Sequence, residues 1–209
     1  MKRTSLLSNR LNTTGLEEVF DRCIAFWHAD PRSCTVPGVL CNPVALELAY
    51  RNFLLWHEED KARRTDVDDS AIATVKRAID KLNQQRNDLI EKLDETIFSE
   101  LAAYAPATDT GAINSETPGS IIDRISIMSL KVYHMKEDSE RDDIDEEHCQ
   151  RSLQRLAILK YQRHDLCTAL EQLMTEYRNG RKRMKLYKQF KMYNDPALNP
   201  EVYQAKKRI

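Results

Sequence analysis

RTDVDDSAIATVKRAIDKLNQQRNDLIEKL, residues 64–93, decides the fold. Its aspartates stand at helix-capping positions, and Ile72, Val75, Ile79, Leu82, Leu89 and Leu93 then recur at threes, fours and sevens. That spacing draws one apolar stripe along a long helix, over about 68–103. Upstream, Asn42 caps a helix over 43–64 with Pro43 at its first position, where a missing N–H costs nothing. Before it lies a helix over 15–29, separated by the turn-rich DPRSCTVPGVLCNP. Downstream, a loop over 104–116 leads to SETPGS, which opens a helix over 118–139. A helix over 145–179 closes at Asn179 and Gly180, and a last one over 181–193 stops at NDPALNP.

The stretch has a counterpart 77 positions on, RDDIDEEHCQRSLQRLAILKYQRHDLCTAL, residues 141–170. At this offset His57 falls on His134, Trp56 on Tyr133, Asp60 on Glu137, and QRNDL on QRHDL. Ten identities lie between positions 57 and 93 without a gap, where roughly two or three are expected by composition. The pattern predicts two copies of an αα-hairpin, about 46–101 and 123–178. They would pack antiparallel about a pseudo-two-fold axis in one domain of 1–209, flanked by N- and C-terminal helices. The fold class is all-α, a helical bundle.

Composition narrows the functional classes. With 32 basic and 33 acidic side chains the chain carries a formal charge of −1, so no global field draws it to nucleic acid or a membrane surface. Five cysteines lack CxxC pairing, which fits reduced thiols and a cytoplasmic location better than a disulfide framework or a zinc ribbon. No run of 18 apolar residues offers a membrane span. The tail RNGRKRMKLYKQFKMYND carries seven Lys or Arg. Its Leu186, Tyr187, Phe190 and Tyr193 gather on one side, as on a docked amphipathic helix, so nucleic acid is not the expected partner.

Within the copies the polar residues are placed unequally. Arg86 sits in the middle of the apolar stripe of its helix, with Asn83 at the margin, and Arg163 holds the same place in the second copy. A buried guanidinium needs a countercharge. Each arginine therefore either pairs with an acid such as Asp60, Glu137 or Asp123, or holds an anionic ligand through its planar fork. His57 shares the angle of Leu46, Tyr50 and Phe53, and Asp60 lies one turn on, so both turn inward while Glu58 faces solvent. The helix over 118–139 is apolar over most of its circumference and should be the most buried. His134 stands at the border of its polar stripe with Asp123. Thr117, Gly119 and Ser120 at its start would suit a phosphate or carboxylate. Paired Glu-x-x-His motifs, a P-loop, a dinucleotide glycine pattern and a nucleophile elbow are absent from the sequence, so neither a metal nor a cofactor is expected.

LLWHEEDKAR, AIDKLNQQRNDLIE, NSETPGSIIDRISIMSLKVYHM and QFKMYNDPALNP resemble an uncharacterised bacterial family, domain of unknown function 4254. The likeness runs from the second helix to the tail. It implies a cytoplasmic helical protein associated with surface-glycan glycosyltransferases, and its motifs fall on His57, Asp60, Asn83, Arg86, Asp123, His134 and Asn194. It implies no catalytic role.

Three functions remain open at this stage. In the first, a polar pocket in the bundle binds a phosphorylated or carboxylated small molecule through His57, Asp60, Asn83, Arg86, Asp123, His134 and Arg163, as an accessory to glycan biosynthesis. In the second, the chain is an enzyme acting on a phosphate ester or glycosyl donor, with His57 as a general base oriented by Asp60. In the third, it is an interaction module that forms a homodimer or docks on a glycosyltransferase.

Overall fold

Polar side chains close the starts of the helices. Asn42 Oδ1 accepts from the N–H groups of Val44 (2.9 Å) and Ala45 (3.3 Å), Thr117 Oγ1 from Ser120 (3.2 Å), and Asp145 Oδ1 from His148 (2.7 Å). Each satisfies a donor that the helix itself leaves open. The computed structural model describes residues 15–102, 111–190 and 195–205. Its helices are α1 Leu16–Ala29, α2 Pro43–Lys61, α3 Asp69–Ala102, α4 Pro118–Ser139, α5 Glu146–Arg178 and the short α6 Pro200–Ala205. The architecture is an all-α bundle, and no described helix is long and apolar enough to cross a membrane.

α2 packs with α3 and α5 with α4, as hairpin partners should, and α4 also touches α1, α2 and α3. That central place follows from its sequence, since Ile121, Ile122, Ile125, Leu130 and Val132 are all buried. One apolar cluster joins Ile121, Ile122, Ile125 and Leu130 to Phe20 and Trp27 of α1, Leu48 and Phe53 of α2, Leu93 and Ile97 of α3, and Leu170 of α5. α4 approaches α3 closely at Gly119, where an added Cβ would stand 2.8 Å from the Ile90 carbonyl oxygen and from Asp94 Oδ1.

Positions 77 apart use the same bonds at the hairpin turns. Arg64 grips Asp66 through Nε (3.0 Å) and Nη2 (2.7 Å), and Arg141 grips Asp143 likewise at 2.8 and 2.7 Å. Asp68 Oδ1 accepts from the Ala71 N–H as Asp145 accepts from His148.

Of the helix expected over 181–193, the described residues 181–190 form none. After Gly180, whose φ of 68° turns the chain out of α5, Lys182–Arg183 form a strand, β2, paired in parallel with β1, Ala112–Ile113. The chain then runs along α3 without helical structure to residue 190, with Lys188 Nζ on Glu95 (2.7 Å) and Glu91 (3.1 Å). Its apolar side finds no core: Leu186, Tyr187 and Phe190 stay exposed. Amphipathic spacing predicts a helix only where a surface receives it. Tyr193 and Asn194 lie outside the described residues.

Candidate functional site

His57 turns inward from α2, as its angle predicts, and meets Phe53 edge to face at 4.6 Å between ring centres. His134 of α4 faces it at 5.7 Å, so two histidines 77 positions apart come together. A third joins them. His28, near the end of α1, lies 5.2 Å from His57 and 5.1 Å from His134, and its ring stacks on Tyr133 at 4.1 Å. Trp56 stacks in the same way on His134, 5.0 Å apart and within 8° of parallel.

The hydrogen bonds fix which nitrogens face inward. His28 Nδ1 lies 2.8 Å from the Ile24 carbonyl oxygen and must donate to it. His134 Nδ1 donates to Glu137 Oε2 at 2.9 Å. In a neutral ring so bonded Nε2 is the nitrogen with the lone pair, and in both residues Nε2 is buried with no hydrogen-bond partner. Burial, the neighbouring imidazoles and Lys61 hold His57 below the ordinary imidazole pKa, against the opposing charge of Asp60. At His134 burial outweighs the opposing pull of Glu137. Both rings are therefore neutral at pH 7, and one nitrogen from each of the three lies within 4.8 Å of the others. Such a set can hold a cation or simply pack as aromatic rings.

The two core arginines find their countercharges within the chain. Arg86 binds Asp123 through Nε (2.8 Å) and Nη2 (2.5 Å), and Asn52 Nδ2 reaches the same carboxylate at 2.8 Å. Arg163 binds Asp21 of α1 at 2.5 and 3.1 Å, with Ser129 Oγ 3.1 Å from its Nη1. Asn52 and Ser129 are again 77 apart. The two guanidinia thus occupy separate places. Arg163 is only 5% exposed. Arg86 lines a cleft of about 350 Å³ with Asn52, Leu55, Trp56, Glu59, Asp60, Arg63, Ile127 and Leu130.

Of the residues expected at a site, His57 and His134 meet directly, while Asp60, expected to turn inward, is exposed at the end of α2, though its charge reaches both. Asp123 holds Arg86 beside the cleft, Asn83 is half-buried one turn before Arg86, and Arg163 stands apart behind α1. The start of α4, expected to suit an anion, already receives one: Gly119 N donates to Asp94 Oδ1 at 2.7 Å. Burial, the largest influence on Asp94, raises its pKa to about 6. Sequence reasoning missed His28 and Asp21, both on α1. A signal for His28 existed: aromatic–His dipeptides recur at Trp27–His28, Trp56–His57 and Tyr133–His134, each in the last two turns of its helix.

No curated protein and no solved structure matches the chain. The model of a family described as a protein of unknown function, DUF4254, matches residues 43–186, from the start of α2 past β2, and the chain belongs to that family.

Proposed function

We propose that the protein binds a small anionic molecule, phosphorylated or carboxylated, in the cleft between α2, α3 and α4. One observation carries this reading: Arg86 is pinned by Asp123 through Nε and Nη2, which leaves Nη1 outside the pair while the side chain lines the cleft. A guanidinium already fixed in place loses little entropy on meeting a ligand oxygen. Arg63 adds a second positive group at the rim, and the apolar wall of Leu55, Trp56, Ile127 and Leu130 suits the ring of a sugar or nucleoside. Asp60 is placed to accept a hydrogen bond from a ligand hydroxyl, and Glu59 holds Arg63 at the rim through the arginine's Nη1 at 3.2 Å. In this reading Asp123 and Asn52 position Arg86, and Arg163 has a structural part behind Asp21. A cytoplasmic accessory role in surface-glycan biosynthesis fits a sugar phosphate as ligand.

A thermal-shift screen of phosphorylated and carboxylated metabolites, run in the presence of a chelator, tests it. The expected result is stabilisation by at least one compound, abolished in Arg63→Ser and Trp56→Ala and retained in His148→Gln. No stabilisation by any anion would overturn it. A second, enzymatic reading draws support from His57, held neutral by burial, with Asp60 one turn away at the cleft. Turnover of the bound compound unchanged in His57→Gln would remove that reading. The interaction-module reading draws on Ile158 and Tyr161, 57% and 69% exposed on α5. Light scattering showing a monomer at micromolar concentration would count against the homodimer.

A further inference from the structure

We infer that His28, His57 and His134 form a binding site for one divalent transition-metal ion of the zinc class, independent of whatever the neighbouring cleft binds. Four features of the cluster support it. The first is the tautomers. His28 spends its Nδ1–H on a backbone carbonyl and His134 spends its own on Glu137, which is how ligating histidines are held so that Nε2 faces the metal. The second is the unsatisfied atoms. Nε2 of His28 and of His134 are each buried without a hydrogen-bond partner, an arrangement that costs free energy unless something accepts the lone pairs.

The third is spacing. Three imidazoles on one tetrahedral ion, with metal–nitrogen bonds of about 2.0–2.1 Å, hold their ring centres roughly 5.2 Å apart. The centres here are 5.2, 5.1 and 5.7 Å apart. The planes stand at 78°, 71° and 83° to one another, so no two of the three rings stack face to face. Donor atoms within 4.8 Å of each other close onto an ion by rotation about terminal torsions, whose wells are broad.

The fourth is the field. His28 lies in the last turn of α1, where the helix end carries partial negative charge that favours a cation, and His57 and His134 lie one turn further from the ends of α2 and α4. Neutral imidazoles without thiolates select zinc, nickel, copper or cobalt over calcium or magnesium. Three protein ligands leave a fourth position, as in zinc sites that keep water or substrate. Asp60 is the carboxylate shared with the cleft: it lines that space, and its charge acts on both His57 and His134.

The test uses the full chain freed of metal with a chelator and dialysed. Cobalt(II) is titrated in and followed by its visible absorption, then displaced with zinc, and zinc binding is measured separately by calorimetry. The expected result is one equivalent bound, with His28→Gln, His57→Gln and His134→Gln each losing at least about tenfold in affinity. Glu137→Gln should lose less, and His148→Gln and His164→Gln nothing. Circular dichroism confirms that each variant is folded. Rings that merely pack would give a folded chain that takes up neither ion, and this overturns the inference. So does stoichiometric binding that all three triad variants retain, or that the His148 or His164 variant loses. Metal binding that survives while the anion screen fails separates this site from the cleft.

Discussion

His134 and His57 are worth more to the fold neutral than charged, and that sets a pH dependence. In the unfolded chain each imidazole titrates near about 6.5; in the fold burial holds both lower. Between those values the unfolded state binds more protons, so stability falls as pH drops below about 7. Urea midpoints measured across this range should show the fall, and a His57→Gln/His134→Gln double variant should flatten it. Asp94 works the other way. Its pKa is raised to about 6 above an unfolded value near 3.9, so its contribution is present in acid and fades as pH rises through 6. Asp94→Asn should therefore steepen the acid loss.

Arg86→Met at the same scale leaves Asp123, 3% exposed, without its cation and should cost about 3–5 kcal/mol in chemical denaturation. Adding Asp123→Leu should recover much of it. The partner of Arg86 was one of three acids that the sequence leaves open. Asp21, the partner of Arg163, was not legible, because nothing in a periodicity says which helix a stripe will face.

Among the elements, helix boundaries were legible where a side chain signals them. Asn42 with Pro43 and Thr117 with Pro118 mark the starts of α2 and α4 in sequence and in space. The stretch after Gly180 was not, because Leu186, Tyr187 and Phe190 have helical spacing but no groove to fill, while pairing with β1 gives the backbone another partner. The contact between α3 and α4 is as tight as a side chain allows. Gly119→Ala pushes a methyl onto the Ile90 carbonyl and should destabilise by about 1–3 kcal/mol, read as a lower denaturation midpoint. An effect near zero would mean that α4 can slide on α3.

Across the whole molecule, the 77-residue spacing shows which residues correspond, and the packing shows what they meet. Arg86 finds its acid on α4 and Arg163 on α1; Trp56 covers His134 on α4, and Tyr133 covers His28 on α1. Thus α1 stands to the second hairpin much as α4 stands to the first. This relation is invisible to an offset search, since α1 shares no long match with either copy, and it explains why His57 and His134 were legible as candidates while His28 was not. A ligand held by α1, α2 and α4 together binds only the folded chain. Zinc at a hundred times its dissociation constant should add about 2.7 kcal/mol and raise the melting temperature, an increment that a tenfold loss of affinity in His28→Gln cuts to about 1.4 kcal/mol or less.

The most direct measurement is anomalous diffraction at the zinc edge from crystals of the zinc-treated protein. One peak is expected among Nε2 of His28, Nε2 of His134 and a ring nitrogen of His57, at bonding distance from all three. A map with no peak there, or with zinc only on surface histidines such as His164, would contradict it.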